Sequence, residues 1–201
     1  VGTLAWSGYR HLELYYGLSG SGLVCHTINP RLFREQIGYI IEHAGDSVIF
    51  ADLTFLPILE ALADRLSGMK AIVMMTDEAH MPKSEALPNL ACYETLIAGE
   101  SDEYDWPVFD ENTASGLCYP SGTTGDPKGV LYSHRSSVLH AMSSSMPDVL
   151  GLSANDVLSP IVPMFHVNAW GVPFSGPMAG AKLVMPGPNL DGASLHALFE
   201  A

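Results

Sequence analysis

The chain has 201 residues, 47% of them hydrophobic, and nine Lys and Arg against 22 Asp and Glu leave a formal charge of −13. That length and hydrophobic content suit one ordinary domain, or a piece of a larger one, and exclude a disordered chain. The negative charge repels a phosphate backbone and excludes nonspecific nucleic-acid binding, so any polyanion must be met by a local arrangement of donors.

Elements follow in chain order. Residues 7–18 carry apolar side chains at helical spacing, "SGSG" turns the chain, and "LVCHTI" is a short strand. "PRLFREQIGYIIEHAGD" puts Leu32, Ile37, Ile40 and Ile41 on one helical face and stops at Gly45; "SVIFAD" follows as a buried strand. "LPILEALADRLSG" is one further amphipathic helix ending at Gly68, and "KAIVMM" the next strand. Strands and helices alternating at this spacing imply an α/β fold of β-α units with a mainly parallel sheet.

Over 76–112 the periodicity fades and acids accumulate, leaving an excursion with one short helix at 93–98. "SGLCY" enters and "GVLYSH" leaves a glycine loop as strands, with a helix over 135–145 behind them. "DVLSPIVP" and "AKLVMPG" are strands that bracket an uncharged segment, and "LDGASLHALFEA" starts a helix with Asp191 at or near its cap. Residues 157–181 hold no Asp, Glu, Lys or Arg, yet Pro160, Pro163, Pro173 and Pro177 break any membrane helix; the segment is expected as buried protein lining a cavity, with no transmembrane segment.

Cys25, Cys92 and Cys118 are odd in number and form no CxxC pair. Neither a disulfide framework nor a zinc site is expected, and a cytoplasmic location fits the thiols. His11, His26, His43, His80, His140 and His196 have no metal-ligand spacing, so no structural metal is expected. The start at Val1 shows no basic stretch before an apolar run, which argues against a signal peptide and for a cut into a longer chain.

The loop is the chemically loaded stretch. In "YPSGTTGDPKG", residues 119–129, Gly122, Gly125 and Gly129 let successive backbone N–H groups turn toward one anion, Ser121, Thr123 and Thr124 add hydroxyls, and Lys128 adds a point charge. It is not a Walker A loop, because Pro127 precedes and Gly129 follows the lysine. Such a Ser/Thr/Gly/Pro cluster is also the composition of an ordinary turn, and Lys128 taken alone has the alternative of a solvated surface lysine.

"YPSGTTGDPKGV" closely resembles the signature phosphate loop of the acyl-adenylate-forming superfamily, which includes acyl-CoA synthetases, luciferases and peptide-synthetase adenylation domains. Asp126 falls at a variable position of that motif, and Tyr119 and Pro120 at its permissive front edge. Downstream, "PMFHVNAWG" resembles the superfamily's aromatic-His segment and "GAKLVMPGP" the strand after it; upstream, "YRHLELYYGLSGSGLVCHTINPRL" resembles the entry to the N-terminal domain. "YRHLELYYG", "HTINPRL" and "PMFHVNAWGVPF" look most like bacterial medium- to long-chain fatty-acyl-CoA synthetases.

The resemblance implies a ligase that activates a fatty acid with ATP to an acyl-adenylate and passes it to coenzyme A. It assigns Ser121, Gly122, Thr123, Thr124 and Gly125 to the β- and γ-phosphates with Lys128 as supporting cation, and His166 to the reacting carboxyl. Phe165, Val167 and Trp170, with Val162, Val172 and Phe174, line an acyl channel or, equally in composition, a core; Trp170 is placed on the catalytic side by its position four residues after His166. His134 contacts a phosphate or caps the following helix. The adenine and ribose motifs, the Glu that would hold Mg²⁺ and the C-terminal domain are not found, which implies that 1–201 is part of the large N-terminal domain. Its first α/β portion is 1–112, and 113–201 carries the loop and acyl pocket; alone it is expected to be inactive. Apolar surface meant for missing neighbours makes a homo-oligomer expected. The rival readings are an aromatic or amino acid substrate, and a nonenzymatic nucleotide-binding or assembly module.

Overall fold

Three residues, Gly2, Thr3 and Leu4, sit fully buried and form β1 (Gly2–Leu4), the middle strand of a seven-stranded sheet. The computed structural model describes residues 1–120 and 126–200. The chain continues through α1 (Tyr9–Gly20), β2 (Cys25–Thr27), α2 (Arg34–Ala44), β3 (Val48–Ala51), α3 (Leu56–Glu60), α4 (Ala63–Leu66), β4 (Ala71–Met74), β5 (Leu90–Cys92) and α5 (Tyr93–Ile97). After a long acidic connection come β6 (Ala114–Cys118), β7 (Val130–Ser133), α6 (His134–Ser144), β8 (Val157–Leu158), α7 (Val172–Ala179), β9 (Lys182–Leu183) and α8 (Gly192–Glu200). Strand order is β5-β4-β3-β1-β2-β6-β7, parallel throughout except for the antiparallel β6–β7 pair.

Alternation along the strands builds two cores. Ile49 and Ala51 of β3, with Ile72 and Met74 of β4, pack under Ile37, Ile40 and Ile41 of α2 and Leu59, Leu62 and Leu66. Val48 and Phe50, with Ala71 and Val73, face the opposite layer of Leu14, Tyr15, Leu18 and Tyr93. Both faces of the sheet are therefore covered, as a parallel sheet requires. Each of the three α2 isoleucines, at 0–1% exposure, stabilises the fold by about 1.5–3 kcal/mol. The helix ends where expected: Gly45 takes φ +66°, its N–H bonds to Glu42 O at 3.0 Å, and Asp46 N–H bonds to Ile41 O at 3.1 Å.

Several elements depart from the sequence pattern. β1 had no periodicity to announce it. The single helix expected from "LPILEALADRLSG" is two, α3 and α4, because Leu62 N–H bonds to Leu59 O, a tight turn that brings Leu59, Leu62 and Leu66 to one core. The excursion 76–112 contains β5, a three-residue edge strand held by its ladder to β4 rather than by an apolar run. β8 and β9 shrink to two residues each, cut short by Pro160 and Pro186, and pair with each other in a separate two-stranded sheet.

The uncharged segment is not uniformly buried. Met164, Phe165 and Ala169 are, but Val157, Val162, Val167 and Trp170 are 40–68% exposed. Among the described residues no helix is long and apolar enough to cross a membrane.

Candidate functional site

β6 and β7 form a hairpin whose pairing ends at Cys118 opposite Val130, so the 119–129 stretch leaves and rejoins the sheet at its edge. Ser121, Gly122, Thr123, Thr124 and Gly125 lie outside the described residues. Lys128 is exposed, and its ammonium pairs with no carboxylate among the described residues.

Below the strand that leaves the loop, a cavity of about 270 Å³ is lined by Tyr132 of β7, Ser136 and His140 of α6, and Val167, Trp170 and Phe174. It adjoins a second cavity of about 500 Å³ between α1, α6 and α7, with Ser137 and Phe174 common to both walls. The hydroxyl of Tyr132 stands 3.6 Å from Cys118 Sγ; burial first, then this neighbour, pushes its pKa up to about 12 and keeps it neutral. The structure thus brings Val167 and Trp170 together at the cavity. Phe165 packs elsewhere, 3% exposed, edge-on to Trp6 at 6.0 Å with the Arg31 guanidinium 5.5 Å above its ring.

The backbone that presents these side chains is left-handed. Val167, Asn168, Ala169, Trp170 and Gly171 have successive φ values of 46°, 50°, 49°, 58° and 77°. The helical spacing that put Trp170 one turn from His166 does not apply to such a turn. Each non-glycine residue in this conformation costs about 1–2 kcal/mol, so neighbours must over-determine it. They do so from α1 and the residues just before it: Tyr15 OH donates to Met164 O at 2.5 Å and lies 3.0 Å from Asn168 Oδ1, Tyr16 OH donates to Pro173 O at 2.7 Å, and Met164 N–H donates to Ser7 Oγ. Ala169 is buried in consequence, and Trp170 is thrust outward at 68% exposure.

His166 precedes this turn with an exposed side chain, and its carbonyl accepts from Ala169 N–H at 3.0 Å. His134 does not cap α6; Ser133 does, in a reciprocal pair with Ser136. His134 instead borders the larger cavity, where burial lowers its pKa and its Nε2 has no hydrogen-bond partner among the described residues. Tyr132, Ser136, His140 and Asn168 were missed in the sequence, although Ser136 and His140 stand one helical turn apart in "HRSSVLHAMSS", a signal that could have found the α6 wall.

A model described as AMP-binding enzyme matches residues 1–201. The chain belongs to this AMP-binding enzyme family. It is 60% identical over 197 residues to a medium-chain-fatty-acid–CoA ligase of Ectopseudomonas oleovorans, covering 98% of this chain and 36% of that protein. It is 56% identical over 204 residues to a 3-methylmercaptopropionyl-CoA ligase of Ruegeria lacuscaerulensis, covering 100% of this chain and 37% of the relative. The crystal structure of the anthranilate CoA ligase AuaEII in complex with anthranoyl-AMP superimposes with a TM-score of 0.81 at 21% identity, over 98% of this chain and 37% of that one, and shows the shared fold. This AMP-binding enzyme chain therefore spans a little over a third of the length of these proteins.

Proposed function

We propose that the chain is the phosphate-loop and acyl-pocket part of the N-terminal domain of an ATP-dependent fatty-acid–CoA ligase. The observation that carries this reading is adjacency: Tyr132, two residues into the strand that leaves the loop at Val130, lines the same cavity as Val167, Trp170 and Phe174. The strand that follows the loop thus gives a side chain to a largely apolar cavity, the kind of neighbourhood that joining a carboxylate to ATP calls for. The names borne by the two close relatives support an acid–CoA ligase.

In this reading the fatty-acid carboxylate attacks the α-phosphorus of ATP, pyrophosphate leaves, and the thiol of coenzyme A then displaces AMP from the acyl carbon. The first step joins two anions, so its catalysis is charge neutralisation and alignment. Lys128 supplies an exposed ammonium at the loop, and the hydroxyls and N–H groups of residues 121–125 hold the departing pyrophosphate. His166, exposed beside the cavity turn, hydrogen-bonds the carboxylate; Trp170 and Val167 contact the acyl chain. Among the described residues there is no group of three or more His, Cys, Asp or Glu that could hold a metal ion.

The test is ATP–pyrophosphate exchange by the protein expressed from its complete coding sequence. Exchange should require a medium-chain fatty acid, and Lys128→Ala should lower it about 10- to 100-fold, the value of a charge-assisted contact. Exchange that ignores the fatty acid, or is unchanged in Lys128→Ala, would refute the assignment. A second reading, activation of a short thioether acid, is favoured by the 56% identity to the 3-methylmercaptopropionyl-CoA ligase, and a panel of carboxylates distinguishes the two.

A further inference from the structure

We propose that Tyr119 and His43 form a positioning pair that sets the base of the phosphate loop; the inference rests on the reading that the loop holds ATP. Tyr119 follows β6 directly and is 6% exposed. Its hydroxyl lies 2.7 Å from Nδ1 of His43 in the last turn of α2, 76 residues away in sequence. Burial raises the tyrosine pKa, so the phenol stays protonated and can donate to Nδ1.

The pair is built on all sides. Tyr39, one helical turn before His43, stacks on its ring at 5.3 Å and fixes the plane of the imidazole. His26, bonded through Nδ1 to Asp46 Oδ2 at 2.5 Å, lies 5.2 Å from the Tyr119 ring. The returning backbone of the loop closes the arrangement, because a Cβ on Gly129 would stand 3.1 Å from Tyr119 Cζ and 3.3 Å from its hydroxyl oxygen. Both ends of the stretch, residues 119 and 129, therefore meet on one side chain, and that side chain is tied to α2. A cradle of backbone N–H groups holds an anion only while its two ends keep their separation and direction, and this contact sets both.

Tyr119 touches neither reacting group in this scheme, so its effect belongs to ATP binding and not to the carboxylate. In the protein expressed from its complete coding sequence, Tyr119→Phe and His43→Ala should each raise the KM for ATP in pyrophosphate exchange about fivefold, the worth of one hydrogen bond, and leave the KM for the carboxylate unchanged. His43→Asn, whose amide oxygen can take the place of Nδ1, should bring the ATP KM back to within about twofold of wild type. Calorimetric ATP binding should follow the same order without any need for turnover. Wild-type ATP affinity in Tyr119→Phe, or equal changes in both KM values, would overturn the pair. A wild-type protein that binds ATP but exchanges no pyrophosphate would refute the ligase reading and leave the pair to be judged by the binding constants. One that binds no ATP would refute both.

Discussion

His11 in α1 is fully buried, and its surroundings select one protonation state. Nδ1 lies 3.0 Å from the Trp6 carbonyl oxygen, which can only accept, so Nδ1 carries the proton and Nε2 accepts from the Thr3 hydroxyl at 3.0 Å. Burial lowers its pKa from the ordinary 6.5 to about 4, against the opposing pull of the Trp6 carbonyl. The folded value is below the unfolded one, so the unfolded chain takes up the proton first as pH falls. The contribution is complete above about pH 6.5 and is lost on descending toward 4, by about 3 kcal/mol in all. Urea denaturation at pH 7 and pH 5 should show this acid limb, and His11→Asn should flatten it. A helix-ending glycine and a cap residue were legible at this scale: Gly45 ends α2, and Asp191 Oδ1 accepts from Ala193 and Ser194 N–H at 3.1 Å. The Tyr119–His43 contact was not, because its two halves are 76 residues apart and neither carries a local signal.

At the level of elements, the left-handed turn before α7 and the body of α1 make opposite predictions for one substitution. Gly171 has φ +77°, and a Cβ there would stand 2.7 Å from His140 Nδ1, so Gly171→Ala should cost about 1–3 kcal/mol through strain and overlap. Gly17, exposed inside α1 with nothing within 4 Å of its added Cβ, should gain about 0.5–1 kcal/mol on becoming alanine. Guanidinium unfolding of the two variants checks both signs. Helices with a strong apolar face were readable: α2 matches its pattern at Ile37, Ile40 and Ile41, which recur at helical spacing, whereas Leu32 falls in the turn before the helix starts at Arg34, its N–H bonded to Asn29 O. The break between α3 and α4 was hidden, since the leucines that follow the helical period are the same ones that a tighter turn at Leu62 carries into the core.

Across the whole molecule, burial depth ranks the strands. Leu4 lies at 1% exposure in the middle strand and Leu131 at 61% on the edge strand β7. Leu4→Ala should therefore cost about 2–5 kcal/mol, and Leu131→Ala about 0.5 kcal/mol or less, by chemical denaturation. The sequence by itself determined the α/β class, the parallel alternation and the resemblance to acyl-adenylate-forming enzymes, because each of these is written in local periodicity or in contiguous residues. Only the tertiary structure decided that β1 is central, that β5 extends the sheet, that Phe165 turns toward Trp6 while Trp170 turns toward the cavity, and that α1 holds a left-handed turn in place. Those outcomes depend on partners such as Tyr15 and Met164, 149 residues apart, whose hydrogen bond exists only once the sheet has brought the two halves of the chain together.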